Sequence, residues 1–185
     1  MAKKTQEPSI ESQATDRHVW NSEKEVGQFL ASLIRLTKAR TVLEIGVFEG
    51  ETSKDLIEAL PKGGMYVGVD IQDFRTTESK QLFTQAGKDG KVIEFILGNS
   101  ISVMPKLQKN HYDIIFIDGL HEFEHVIKEF KFAEQLITRN GLIVFHDSLH
   151  IEGVKQVVEY AAAYNYRMIN IDTPEKRGIA IVTKS

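Results

Sequence analysis

Apolar residues recur along the chain in two alternating rhythms. Val26, Phe29, Leu30, Leu33, Ile34 and Leu36 repeat every three to four positions, which predicts an amphipathic helix with one buried face. Dense apolar runs follow at about residues 42–46, 65–70, 92–97, 112–118 and 141–147, short enough for strands buried on both sides. Helical patterns separate them. The clearest places Phe123, Val126, Ile127, Phe130, Ala133, Leu136 and Ile137 on one face. Strand alternating with helix predicts an α/β fold built on a parallel, doubly wound sheet. A further helix over about 152–163 leads to strands over 166–171 and 178–183. The link Asp172–Arg177 is too short for a helical crossover, so these two strands are expected to pair antiparallel.

Composition bounds this picture. With 185 residues, 42% of them hydrophobic, the chain can bury about 70% of its unfolded surface. Residues 1–20 are polar and aperiodic, with Lys3, Lys4, Glu7, Pro8, Ser9 and Ser12. They read as a mobile tail ahead of a single domain over 21–185. A net charge of −3 gives no general pull toward nucleic acid or anionic membranes. The chain has no cysteine, which excludes disulfides and thiolate chemistry. No apolar run approaches the roughly 20 residues of a membrane helix, and the N-terminus lacks a signal-peptide core. A cytoplasmic protein is expected.

The most specific motif is Thr41-Val42-Leu43-Glu44-Ile45-Gly46-Val47-Phe48-Glu49-Gly50-Glu51-Thr52-Ser53, a strand running through a glycine turn into a helix. Gly46 and Gly50 permit unusual dihedrals and close ligand approach. Thr52, with Asp55 three residues on, predicts a capping box. A dinucleotide turn would place glycine where Glu44 stands; a carboxylate there repels pyrophosphate and welcomes a cation. Asp70 closes the next strand and suits the two hydroxyls of a ribose. These residues resemble motif I and the ribose-binding acid of class I S-adenosylmethionine-dependent methyltransferases, over about residues 22–185. The resemblance implies a Rossmann-like, seven-stranded sheet of order 3-2-1-4-5-7-6 with the last strand antiparallel. It implies cofactor contacts from Glu44, Gly46, Phe48, Gly50, Thr52, Ser53, Asp70, Ile71, Asn99, Ser100 and Asp118. For Asn99 an Asx turn opening the next helix fits nearly as well.

Two strands run straight into charged groups, Asp118 with His121 after the fourth and His146-Asp147 after the fifth. Neighbouring carboxylates raise each other's pKa unless a cation separates them, and a hard divalent ion such as magnesium would do so. Asp-Gly-Leu-His at 118–121 and the acid at 147 resemble the metal-dependent small-molecule O-methyltransferases of the sugar and catechol types. That resemblance implies Asp118 and Asp147 as metal ligands and His121 as general base toward a hydroxyl acceptor. Ser148 stands where those enzymes usually carry a further Asn or Asp ligand, so His146 or a water is expected to complete the shell. His121-Glu122-Phe123-Glu124-His125 also matches the zinc-hydrolase spacing, in the wrong setting directly after a strand. A binding module that holds S-adenosylmethionine without turnover is the main alternative. Without an inserted lid, a homo-oligomer is a further expectation.

Overall fold

The computed structural model describes residues 21–164 and 166–184; the polar tail expected over 1–20 lies outside them. Helix α1 (Lys24–Thr37) leads to β1 (Thr41–Ile45), then α2 (Glu51–Ala59), β2 (Met65–Asp70), α3 (Thr77–Lys88) and β3 (Val92–Leu97). A short α4 (Ser100–Val103) precedes β4 (Tyr112–Ile117), α5 (Phe123–Leu136), β5 (Ile137–His146), α6 (Glu152–Ala163), β6 (Arg167–Ile171) and β7 (Ile179–Thr183). The strands form one sheet of order β3-β2-β1-β4-β5-β7-β6. β7 runs antiparallel to both neighbours, and the other pairings are parallel.

Successive strand residues bury opposite faces. Leu43, Ile45, Ile115, Ile117 and Phe145 pack with α5 and α6, whereas Val42, Ile114, Phe116 and Val144 pack with α1 and α2. Burial on both faces is why the central strands read as continuous apolar runs.

Three local expectations are corrected. Gly50, in a left-handed conformation, caps α2 without any side-chain bond, so Thr52 sits inside the first turn and the capping box with Asp55 does not form. Leu36 is 79% exposed and lies off the buried face of α1. Ile137 belongs to β5, opposite Tyr112, and the register then jumps to Ile114 opposite Leu142. The bulge around Asn140-Gly141 absorbs the difference.

Candidate functional site

Strands β4 and β5 run parallel with Ile117 opposite Phe145, so the residues that follow them emerge side by side. His146 is fully buried between two carboxylates. Its Nε2 lies 2.7 Å from Glu23 Oε2 and its Nδ1 3.0 Å from Asp118 Oδ1. Burial alone would strip its proton; the charge of Asp118, with Asp147 and Glu23, outweighs burial and raises the pKa to about 9. His146 is therefore an imidazolium at neutral pH. Burial likewise works against the charge on Asp118. The His146 charge and hydrogen bonds from His121, His146 and Ser22 prevail, holding Asp118 well below the usual carboxylate range. Ser22 Oγ donates to Asp118 Oδ2 at 2.5 Å.

Asp147 is buried and adopts a left-handed φ of 57°. Arg177 grips it with a two-pronged fork, Nε to Oδ1 at 2.7 Å and Nη2 to Oδ2 at 3.0 Å. The third prong, Nη1, donates to the Asn21 carbonyl at 2.7 Å. Thr173 Oγ1 donates to Glu23 Oε1 at 2.5 Å and accepts from the backbone N–H of Arg177 and of Gly178. Asn21 Nδ2 reaches Glu49 Oε2 at 3.2 Å. The segment before α1, the ends of β4 and β5 and the β6–β7 loop thus form one polar network.

His121 is partly exposed, with Nε2 at 3.3 Å from Asp118 Oδ1 and 3.6 Å from Asp147 Oδ2. One donor atom from each of Asp118, His121 and Asp147 lies within 4.8 Å of the others. Two carboxylates and an imidazole suit a divalent cation. Buried Ser148 Oγ, next to Asp147 in the chain, finds no hydrogen-bond partner among the described residues. The donor set of Asp118, His121 and Asp147 fits a metal. His146 was the expected extra ligand, but both its nitrogens are committed to Asp118 and Glu23, and His121 stands in the ligand group instead.

The glycine turn is braced from two sides. Asp70 Oδ2 accepts from the backbone N–H groups of Val47 and Phe48, both at 2.8 Å. Phe48 has a positive φ and its ring tilts against Phe74, 5.5 Å between centroids. Glu44 is buried beneath the turn and accepts from Ser53 Oγ at 2.5 Å and from the Tyr66 hydroxyl. Burial, aided by Asp118 and Asp70, outweighs those bonds and raises its pKa to about 8. Glu44 is thus a largely neutral post under the turn, in place of the anion expected to welcome a cation. Gly46 has φ 86°, and a Cβ there would stand 2.1 Å from the Asp118 carbonyl oxygen. Glycine is needed where β1 and β4 close together, before any ligand is considered.

Asn99 Oδ1 accepts from the Ile101 N–H at 2.9 Å, the Asx cap of α4. Ser100 Oγ donates to Glu129 Oε1 at 2.5 Å and lies 3.0 Å from His125 Nε2. His125 therefore has partners of its own. Its hydrogen bond to Glu129 raises its pKa. His121 precedes α5, whose first residue is Phe123, and the ligand group includes His121 without His125. The H-E-x-x-H spacing builds no zinc pair. Sequence reasoning missed Ser22, Glu23, Thr173 and Arg177; only the polarity of Glu23 at the head of an amphipathic helix hinted at any of them.

A sheet of this order, with antiparallel β7 and a glycine turn braced by the acid closing β2, defines a class I S-adenosylmethionine-dependent methyltransferase architecture. The chain belongs to the O-methyltransferase family, whose model matches residues 9–177. It is 29% identical over 145 residues to a caffeoyl-CoA O-methyltransferase of Medicago sativa, covering 74% of this chain and 58% of that protein. Caffeoyl-CoA O-methyltransferase 2 of Petunia hybrida is 32% identical over 143 residues, covering 73% and 58%. The chain thus spans little more than half the length of these relatives. Among solved structures, the O-methyltransferase TomG from Streptomyces achromogenes, in complex with SAM, gives a TM-score of 0.74 at 20% identity, covering 97% of this chain and 91% of that one. An O-methyltransferase from Bacillus cereus, in complex with SAH, gives 0.71 at 19%, covering 96% and 92%. These two share the fold. Among the described residues no helix is long and apolar enough to cross a membrane.

Proposed function

We propose that this chain is an S-adenosylmethionine-dependent O-methyltransferase acting on a hydroxyl group of a small molecule. The observation that carries the proposal is the convergence of Asp118, His121 and Asp147 beside the Gly46 turn, in a chain of the O-methyltransferase family. The carboxyl ends of parallel strands are where such sheets bind ligands. In this reading the methyl donor lies over the ends of β1 and β2, framed by Gly46, Phe48, Gly50, Thr52 and Ser53. Asp70 keeps acceptor capacity for ribose hydroxyls after binding the turn. Exposed Ile71 offers apolar surface to the purine, with Asn99 and Ser100 toward its edge. Asp118 exchanges the Ser22 hydroxyl for the donor's ammonium group.

The acceptor oxygen attacks the methyl carbon as the carbon–sulfur bond breaks, and the hydroxyl proton passes to Nδ1 of His121, the ring nitrogen not engaged with Asp118. Asp118, in contact with Nε2, holds that imidazole in place. Asp118 and Asp147 would hold a divalent ion; when bound, such an ion supplies a lowered pKa for the acceptor hydroxyl. The reading extends to a cytoplasmic enzyme that engages neither nucleic acid nor membrane, and to a homo-oligomer whose second subunit covers the acceptor.

Incubation with methyl-labelled S-adenosylmethionine and a panel of small hydroxyl compounds tests this. Label is expected on a hydroxyl oxygen of at least one acceptor, with S-adenosylhomocysteine binding measured by calorimetry. Tight binding with no transfer to any acceptor would instead identify a binding module. Absence of binding would remove the methyltransferase reading altogether.

A further inference from the structure

Asp147 combines burial, a left-handed backbone and a guanidinium fork on both its oxygens. Fork-to-carboxylate pairing engages one lone pair on each oxygen and sets a positive charge against both of them. We propose that Arg177 competes with a divalent cation for Asp147, so that the site is neutralised from within and takes metal only when the guanidinium withdraws. The inference rests on the proposed function only in treating Asp147 as a group that faces a metal.

The charges around Asp147 support competition. Glu23, Glu49, Asp118 and Asp147 are the carboxylates of the network, and Arg177 is the permanent cation that lies directly on Asp147. The guanidinium directly offsets the charge of Asp147, so a divalent ion finds a weaker attraction there while it remains. Withdrawal of Arg177 exposes the Asp147 carboxylate. It also breaks the Nη1 bond to the Asn21 carbonyl, which ties the segment before α1 to the β6–β7 loop. Cation entry should therefore loosen that tether. Lysine at this position would keep the charge and lose the fork, which separates electrostatic competition from geometric occupation.

Manganese binding, read from the electron paramagnetic resonance of the free ion, tests the inference without any activity assay. Arg177→Gln should bind Mn2+ about tenfold or more tightly than the parent protein, with Arg177→Lys intermediate. The gain should vanish when Asp147→Asn is added. A folded Arg177→Gln protein with unchanged or weaker Mn2+ affinity would overturn the proposal. Should that variant fail to fold, the unaltered protein labelled with nitrogen-15 arginine answers the same question. The Nε–H signal of Arg177 should move as Mg2+ is titrated, and a signal unmoved into tens of millimolar Mg2+ would overturn the competition. S-adenosylhomocysteine calorimetry on the same samples keeps the two ideas apart. Tighter Mn2+ binding without S-adenosylhomocysteine binding would leave Arg177 as competitor and remove the methyltransferase reading.

Discussion

Charged side chains at this site are held by mutual compensation, and His121 is the member least bound into that arrangement. It is partly exposed and held only by long contacts to Asp118 and Asp147, whereas His146 and Asp147 are buried and multiply bonded. Removal of His121 should therefore touch chemistry before stability. His121→Ala is expected to lower methyl transfer about 10²- to 10⁴-fold, with S-adenosylhomocysteine affinity and melting temperature nearly unchanged. Undiminished turnover in that variant would remove His121 as the base. Asp118, His121 and Asp147 were legible in the sequence because they lie within four residues of the ends of two apolar strand runs. Glu23 and Arg177 were not. Glu23 meets His146 across 123 positions, and Arg177 meets Asn21 across 156, so no local spacing records either contact. Glu44 was legible as an acid in the turn, but its burial against Ser53 and Tyr66 depends on the neighbouring strand.

The elements that position these groups are β1 and β4, which close on one another at the glycine turn. The Asp118 N–H donates to the Ile45 carbonyl at 2.8 Å, and the Gly46 N–H to the Val69 carbonyl at 2.9 Å, leaving no room for a side chain at Gly46. Gly46→Ala should cost roughly 1–2 kcal/mol for the left-handed backbone, and the contact with the Asp118 carbonyl adds to it. Denaturant unfolding of the ligand-free protein would measure this, and unaltered stability would show that the glycine serves a ligand alone. Strand positions were legible because both faces of the central strands are apolar. The α5–β5 boundary was not, because Ile137 is buried whether it ends a helix or starts a strand, and only its pairing with Tyr112 decides. The expected cap of α2 failed for a similar reason: Gly50 can turn the chain without a side chain, so Thr52 had no cap to supply.

For the whole molecule, the buried titratable groups set how stability depends on pH. Glu44 is raised from 4.5 to about 8 and His146 from 6.5 to about 9. Each binds its proton more tightly when folded, so its contribution is complete below the unfolded value and is lost as pH rises through the folded one. Asp118 and Glu23 are shifted the other way, below 3.8 and 4.5 respectively. Their contribution is complete above those ordinary values and is lost as pH falls through the folded ones. The two sets of slopes meet on the acid side of neutrality. Calorimetric melting temperature should peak near pH 4.5, where the acid limb is complete and the loss through Glu44 begins, and decline from there toward about pH 9. Glu44→Gln keeps the shape of the side chain but removes one titration, so it should flatten the decline between about pH 5 and 8 and leave the acid limb in place. A melting temperature that climbs through pH 8 in the unaltered protein would mean that Glu44 and His146 are not held protonated, and with them would go the picture of a neutral post under the turn and an imidazolium between Glu23 and Asp118.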